Sequence, residues 1–133
     1  MSRVQLAAIA LSVVGIAVSL YLTALHYAGV TPACPVSGSI NCEAVLSSSY
    51  AVIGGSSIPT SALGVVWFAV SAAVWTRPPG WLQVGWSAIG VAGVLGLVYV
   101  EIVVLNAICL WCTAAHVLVV ALLLVAVTAR QTP

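Results

Sequence analysis

Charge is what this chain has least of. Of its 133 residues only 4% are charged, with three arginines, two carboxylates and no lysine. A soluble domain carries about 25% charged residues. A chain this poor in charge has no surface to offer water. Three arginines form no basic patch, so composition gives no support to nucleic-acid binding. Period-two alternation of polar and apolar residues is also missing, which argues against the strands of a membrane barrel. A convincing small-residue cleavage site after the first apolar run is missing too. That run is longer than the roughly 7–15 apolar residues of a secretory signal, so a cleaved leader is not expected.

What is present is apolar length. Four runs stand out, at 4–28, 58–75, 81–105 and 108–128. Each approaches or exceeds the roughly 20 helical residues needed to cross about 30 Å of hydrocarbon. The expected fold is an all-α integral membrane protein, a bundle of four transmembrane helices forming one domain over 1–133. The outer loop 29–57 holds the apolar segment Cys42–Tyr50, expected as a short helix that caps the bundle mouth with Val45 and Leu46 facing down. Gly54, Gly55, Ser56 and Ser57 read as a hinge that would let this lid move.

The arginines orient the bundle. Arg3 precedes the first run, Arg77 lies between the second and third, and Arg130 follows the fourth, while loop 29–57 has no Lys or Arg. The positive-inside rule puts both termini in the cytoplasm. Cys34 and Cys42 then lie on the extracytoplasmic side of a cell (inner) membrane. Cys109 and Cys112 open the fourth run at that same face, where disulfides form and persist.

A Cys-x-x-Cys pair is a two-electron device, because its thiols can close to a disulfide and reopen. On a helix, Cys109, Cys112 and His116 fall at i, i+3 and i+7 and share a face. A thiolate at the helix start is favoured by the unpaired amides and the dipole. A dithiol at the lip of an apolar bundle can pass electrons into the lipid, where the natural two-electron acceptor is a quinone. A structural disulfide and a zinc site are the alternatives. The spacing between Cys34 and Cys42 is not that of a usual zinc knuckle, and ligation would lock the thiols. Among other groups, Glu101 stands near the outer end of the third run, where it could carry a function or simply reach water. His26, taken alone, reads equally as a functional group or as an interface residue. Gly90, Gly93 and Gly96 read as close-packing positions, and Trp75 and Trp81 as interfacial anchors.

An ordered set of segments carries a family resemblance. It comprises 19–26 (SLYLTALH), Cys34 and Cys42, then Val45, Ser48 and Tyr50, then 58–64 (IPTSALG) and 108–112 (ICLWC). The chain resembles the vitamin K epoxide reductase family in its bacterial, quinone-linked form. DsbB-type oxidases also use four helices and two cysteine pairs, but there the Cys-x-x-Cys pair comes first. Here it comes second.

The resemblance implies a membrane thiol–disulfide oxidoreductase that supports disulfide formation. It implies that Cys34 exchanges with a thioredoxin-like or DsbA-like partner, Cys42 relays to Cys109, and Cys112 faces a quinone of the menaquinone, ubiquinone or vitamin K type. Ser48 would stand near this cluster, and Thr60 and His116 would contact the quinone. Trp111 would cover the quinone pocket or face lipid. Many bacterial members fuse a thioredoxin-like domain after the last helix, so a separate partner protein is expected here. Two rivals stay open: the reverse reaction, in which thiols drive reduction of vitamin K epoxide or quinone, and a non-enzymatic membrane scaffold with structural disulfides. The complete lack of Lys, with abundant Ala, Gly and Val, suits a GC-rich prokaryote and favours disulfide generation.

Overall fold

The computed structural model describes residues 1–131. They form five α-helices and no strand among the described residues: α1 (Arg3–Ala28), α2 (Cys42–Leu46), α3 (Thr60–Val74), α4 (Trp81–Tyr99) and α5 (Leu110–Gln131). Three helical spans are long and apolar enough to cross a membrane, Arg3–Ala28, Trp81–Val104 and Leu110–Gln131. The second apolar run, 58–75, yields less helix than its length suggests. α3 has 15 residues, about 22 Å at 1.5 Å per residue. Ile58 and Pro59 are drawn instead into a turn, where the Ile53 amide bonds to the Ile58 carbonyl at 3.0 Å. Within that turn Gly54 and Gly55 adopt φ of 53° and 73°, values that glycine reaches without strain. The expected open hinge is therefore a closed, hydrogen-bonded turn.

α1 packs on α3 and α5, and α4 packs on α5 and α3. The helices approach where a small residue meets a large one. A Cβ on Gly15 would overlap the Phe68 ring, and one on Gly90 would overlap the Trp67 indole. Trp67 in turn stacks on Trp86 with centroids 5.8 Å apart, and the Trp86 Nε1–H donates to Ser71 Oγ at 2.8 Å. Gly85, Gly93 and Gly96 meet nothing within 4 Å, so of the four glycines in α4 only Gly90 serves close packing.

The end of the bundle that carries the arginines is held by two buried glutamines. Gln5 closes a capping box with Ser2 and donates through Nε2 to the carbonyls of Trp75 and Arg77 at 3.2 and 3.0 Å. Gln83 donates to the carbonyls of Val74 and Pro78 at 3.0 and 3.2 Å and accepts the Gly80 amide at 2.9 Å. These bonds satisfy the carbonyls left over where α3 ends. They also bury Trp75, which is 0% exposed within the apolar core. Trp75 is thus a core residue and not an interfacial anchor. Trp81 remains exposed, with the Arg130 guanidinium 3.4 Å above its ring.

At the opposite end α4 passes into a π-helical turn, Val100–Val104. Its wider winding leaves Ile102, Val103 and Val104 exposed and buries Glu101, which is 6% exposed. The expectation that Glu101 reaches water does not hold. The chain then reverses through Asn106, which takes φ 51°, a conformation Asn tolerates better than most residues.

Candidate redox site

The site is built where loop 29–59 meets the segment between the π turn and α5. Cys34 and Cys42 are joined by a disulfide, with their Cα atoms 6.1 Å apart. Cys109 and Cys112 are free thiols. A tight turn in the loop, closed by paired bonds between Ser37 and Ile40, leads into a parallel bridge between Ile40 and Ile108. There the Asn41 amide donates to the Ile108 carbonyl at 2.9 Å, and the Ile108 amide to the Ser39 carbonyl at 2.7 Å. Asn41 also caps α2, its Oδ1 accepting the Ala44 amide at 3.1 Å. Loop and α5 are thus stitched together immediately before Cys42 and immediately before Cys109.

The consequence is a small sealed cluster. Cys42, Val45, Ala107 and Cys109 are buried against one another, with Cys34, Leu46, Trp111 and Cys112 packed around them. Cys42 is 1% and Cys109 0% exposed. Cys34 is only half-buried. Of the loop pair, then, Cys34 is the sulfur more open to a partner, while Cys42 lies against Cys109.

Cys109 sits one residue before α5. Its Sγ accepts the Cys112 amide at 3.3 Å, as a side-chain oxygen does at a helix N-terminus. Its own amide donates to Glu101 Oε2 at 3.2 Å. Its carbonyl accepts both the amide and the hydroxyl of Thr113. Cys109 is therefore turned toward the loop and does not extend the stripe of Cys112 and His116 down the helix.

Cys112 opens instead onto a cavity of about 600 Å³ within the bundle. Thr60, His116, Ser48, His26 and Glu101 line it as well; Cys109, Cys42 and Cys34 do not. Most of the wall is apolar, contributed by residues such as Leu22, Phe68 and Val119. Ser48 donates to the Val45 carbonyl at 2.7 Å and Thr60 to the Tyr50 carbonyl at 3.0 Å, so both hydroxyls fasten the covering segment to itself and to α3.

Trp111 takes a different position from the one its sequence suggests. It does not line the cavity. Its ring lies on Tyr21 with centroids 4.8 Å apart, and its Nε1–H donates to the Ala33 carbonyl at 3.0 Å, next to Cys34. It ties the loop to α5. Trp67, which the sequence gave no reason to single out, does line the cavity, and its buried Nε1 has no hydrogen-bond partner among the described residues. Glu101 was a candidate from the sequence, but its position at the Cys109 amide follows only from the π turn.

No curated protein matches the chain. The family profile described as "Vitamin K epoxide reductase family" matches residues 6–127. That stretch covers both cysteine pairs, the covering segment and the cavity, and the chain belongs to the vitamin K epoxide reductase family.

Proposed function

We propose that the protein is a quinone-linked thiol–disulfide oxidoreductase of one domain, spanning the membrane four times with both termini in the cytoplasm. In this reading α3, although short, crosses with the other three, and α2 caps the outer mouth. The observation that carries the reading is the division of labour between neighbouring thiols. Cys109 is sealed against Cys42, while Cys112, whose amide bonds to the Cys109 sulfur, opens onto the cavity. A relay needs one sulfur facing each way, and a structural disulfide does not.

The cavity suits a quinone. Its volume falls within the usual range for small-molecule sites, and its wall is largely apolar, with Trp67 and Phe68 among the lining side chains. Thr60 and His116 would add polar contacts. A bound quinone supplies a two-electron, two-proton sink.

The chain's own groups do the rest. A reduced thioredoxin-like partner attacks Cys34 through its thiolate and opens the Cys34–Cys42 bond. The freed Cys42 thiolate attacks Cys109 in a closed Cys109–Cys112 pair, and Cys112 leaves as a thiolate. The partner's second thiolate resolves the mixed disulfide, so the partner leaves oxidised and Cys34 is freed; Cys34 then attacks Cys42, restoring the loop disulfide and releasing Cys109. The result is a closed loop pair and an open membrane pair, the arrangement found in this structure. Closure of the membrane pair would pass two electrons and two protons to a quinone held in the cavity and complete the cycle.

The test is quinone reduction by the purified protein with a reduced thioredoxin-like partner, beside the four single Cys→Ala variants. Turnover is expected in the parent protein and loss in each variant. Pairs that stay closed through dithiol and quinone treatment would identify a scaffold instead.

A further inference from the structure

Closing Cys109–Cys112 releases two thiol protons, and the two sulfurs are not equally placed to lose them. Cys112 lines the cavity. Cys109 is 0% exposed and outside it, so its proton must leave through a neighbour. Cys34 and Cys42 carry no proton while joined. Cys112 has its own proton to lose. Glu101 is the remaining titratable group in contact with Cys109: its Oε2 accepts the Cys109 amide at 3.2 Å. Glu101 also lines the cavity, and its Oε1 makes no hydrogen bond among the described residues. It therefore touches both the sealed cysteine and the open space. The other titratable groups on the cavity wall are His26 from α1, Tyr50 from the turn after α2, and His116 from α5; no Arg or Lys lines it, and none of these bonds to Cys109. Glu43 of α2 is exposed.

We propose that Glu101 is the base that takes the Cys109 thiol proton as the Cys109–Cys112 bond forms and releases it into the cavity. The Cys109 S–H bond breaks, its proton moves to the Glu101 carboxylate, and the sulfur's electron pair forms the new S–S bond. The oxidant already coupled to Cys112, a quinone in turnover or a diazene in the test below, is displaced from that sulfur and departs two electrons reduced, as quinol or hydrazine. The carboxylate is regenerated when its proton passes to the cavity.

This inference rests on the reading that the membrane pair cycles, but its test needs neither quinone nor partner protein. In a Cys34→Ser/Cys42→Ser background, the diazene oxidant diamide is added to the reduced protein. Diamide couples to Cys112, and Cys109 then displaces it as the hydrazine while the disulfide closes. Coupling and closure are resolved by mass. Glu101→Gln keeps an acceptor for the Cys109 amide but removes the base. Coupling should proceed as in the parent. Closure should slow at least about tenfold at neutral pH, within the usual range for loss of a general base, and should rise with hydroxide concentration. Glu101→Asp should retain the parent pH profile at a reduced rate, and Glu101→Ala should be as slow as Gln. Closure in Glu101→Gln at the parent rate, with only Ala slowed, would reduce Glu101 to an anchor and overturn the proposal. So would a profile that moves with His116→Gln and not with Glu101→Gln, or a hydroxide-dependent profile in Glu101→Asp. Quinone turnover, measured separately, then stands or falls on its own.

Discussion

Cys34 and Cys42 share a disulfide but not an environment: the first is half-buried, the second sealed beside Cys109. That difference assigns them different work. Cys34→Ala should abolish oxidation of a protein partner but leave reduction by a small dithiol largely intact, measured as quinone reduction with each reductant. Equal loss with both would argue against Cys34 as the partner-facing sulfur. Trp67 offers a second residue-scale prediction. Its indole N–H is buried without a partner, a state that costs about 1–3 kcal/mol in a folded protein. Trp67→Phe removes that orphaned donor, which offsets part of the packing lost against Trp86 and Phe68, so its thermal midpoint in detergent should fall less than that of Trp86→Phe, which also loses a bond to Ser71. An equal or larger fall at Trp67 would show that the orphaned donor costs little.

At the scale of elements, two contacts decide how the helices and the loop are held. Gly90 lies under the Trp67 indole, whereas Gly96 meets nothing within 4 Å. Gly90→Ala should lower stability by about 1–3 kcal/mol through overpacking, and Gly96→Ala should be neutral or slightly stabilising because alanine favours helix. Thermal unfolding in detergent separates them. Trp111→Phe keeps the ring against Tyr21 but deletes the bond to Ala33, so loop 29–59 should become more sensitive to protease while the helical content stays constant. The helices themselves were legible because uninterrupted apolar length is a property of neighbours in sequence. The π turn, the burial of Glu101 and the sealing of Trp75 were not. Each depends on partners remote in the chain: Trp75 packs into a core cluster with Ala8 and Ala126, and Trp111 is tied to the loop by Ala33, 78 residues away, which accepts its indole proton. Spacing correctly grouped Cys112 with His116 on the cavity wall. It could not show that Cys109, one residue ahead of the helix, turns the other way.

For the molecule as a whole, polarity is divided between two ends. The arginine-bearing end is closed by glutamines bonded to backbone carbonyls. The other end holds the cysteines, the loop and the cavity mouth. In the proposed orientation the thiols lie outside the cytoplasm. A membrane-impermeant maleimide added to intact cells of an expression host, after mild reduction, should label Cys34. Labelling that appears only after the membrane is opened would invert the orientation. The central claim is the direction of transfer, from Cys34 through Cys42 and Cys109 to Cys112. The Cys112→Ala variant tests it most directly, since Cys109 then has no intramembrane partner to reclaim. Peptide mapping under non-reducing conditions, after exposure to a reduced thioredoxin-like protein and reoxidation, should find Cys42 joined to Cys109, with quinone reduction abolished. Full quinone reduction in that variant, or Cys109 joined to Cys34 in place of Cys42, would contradict it.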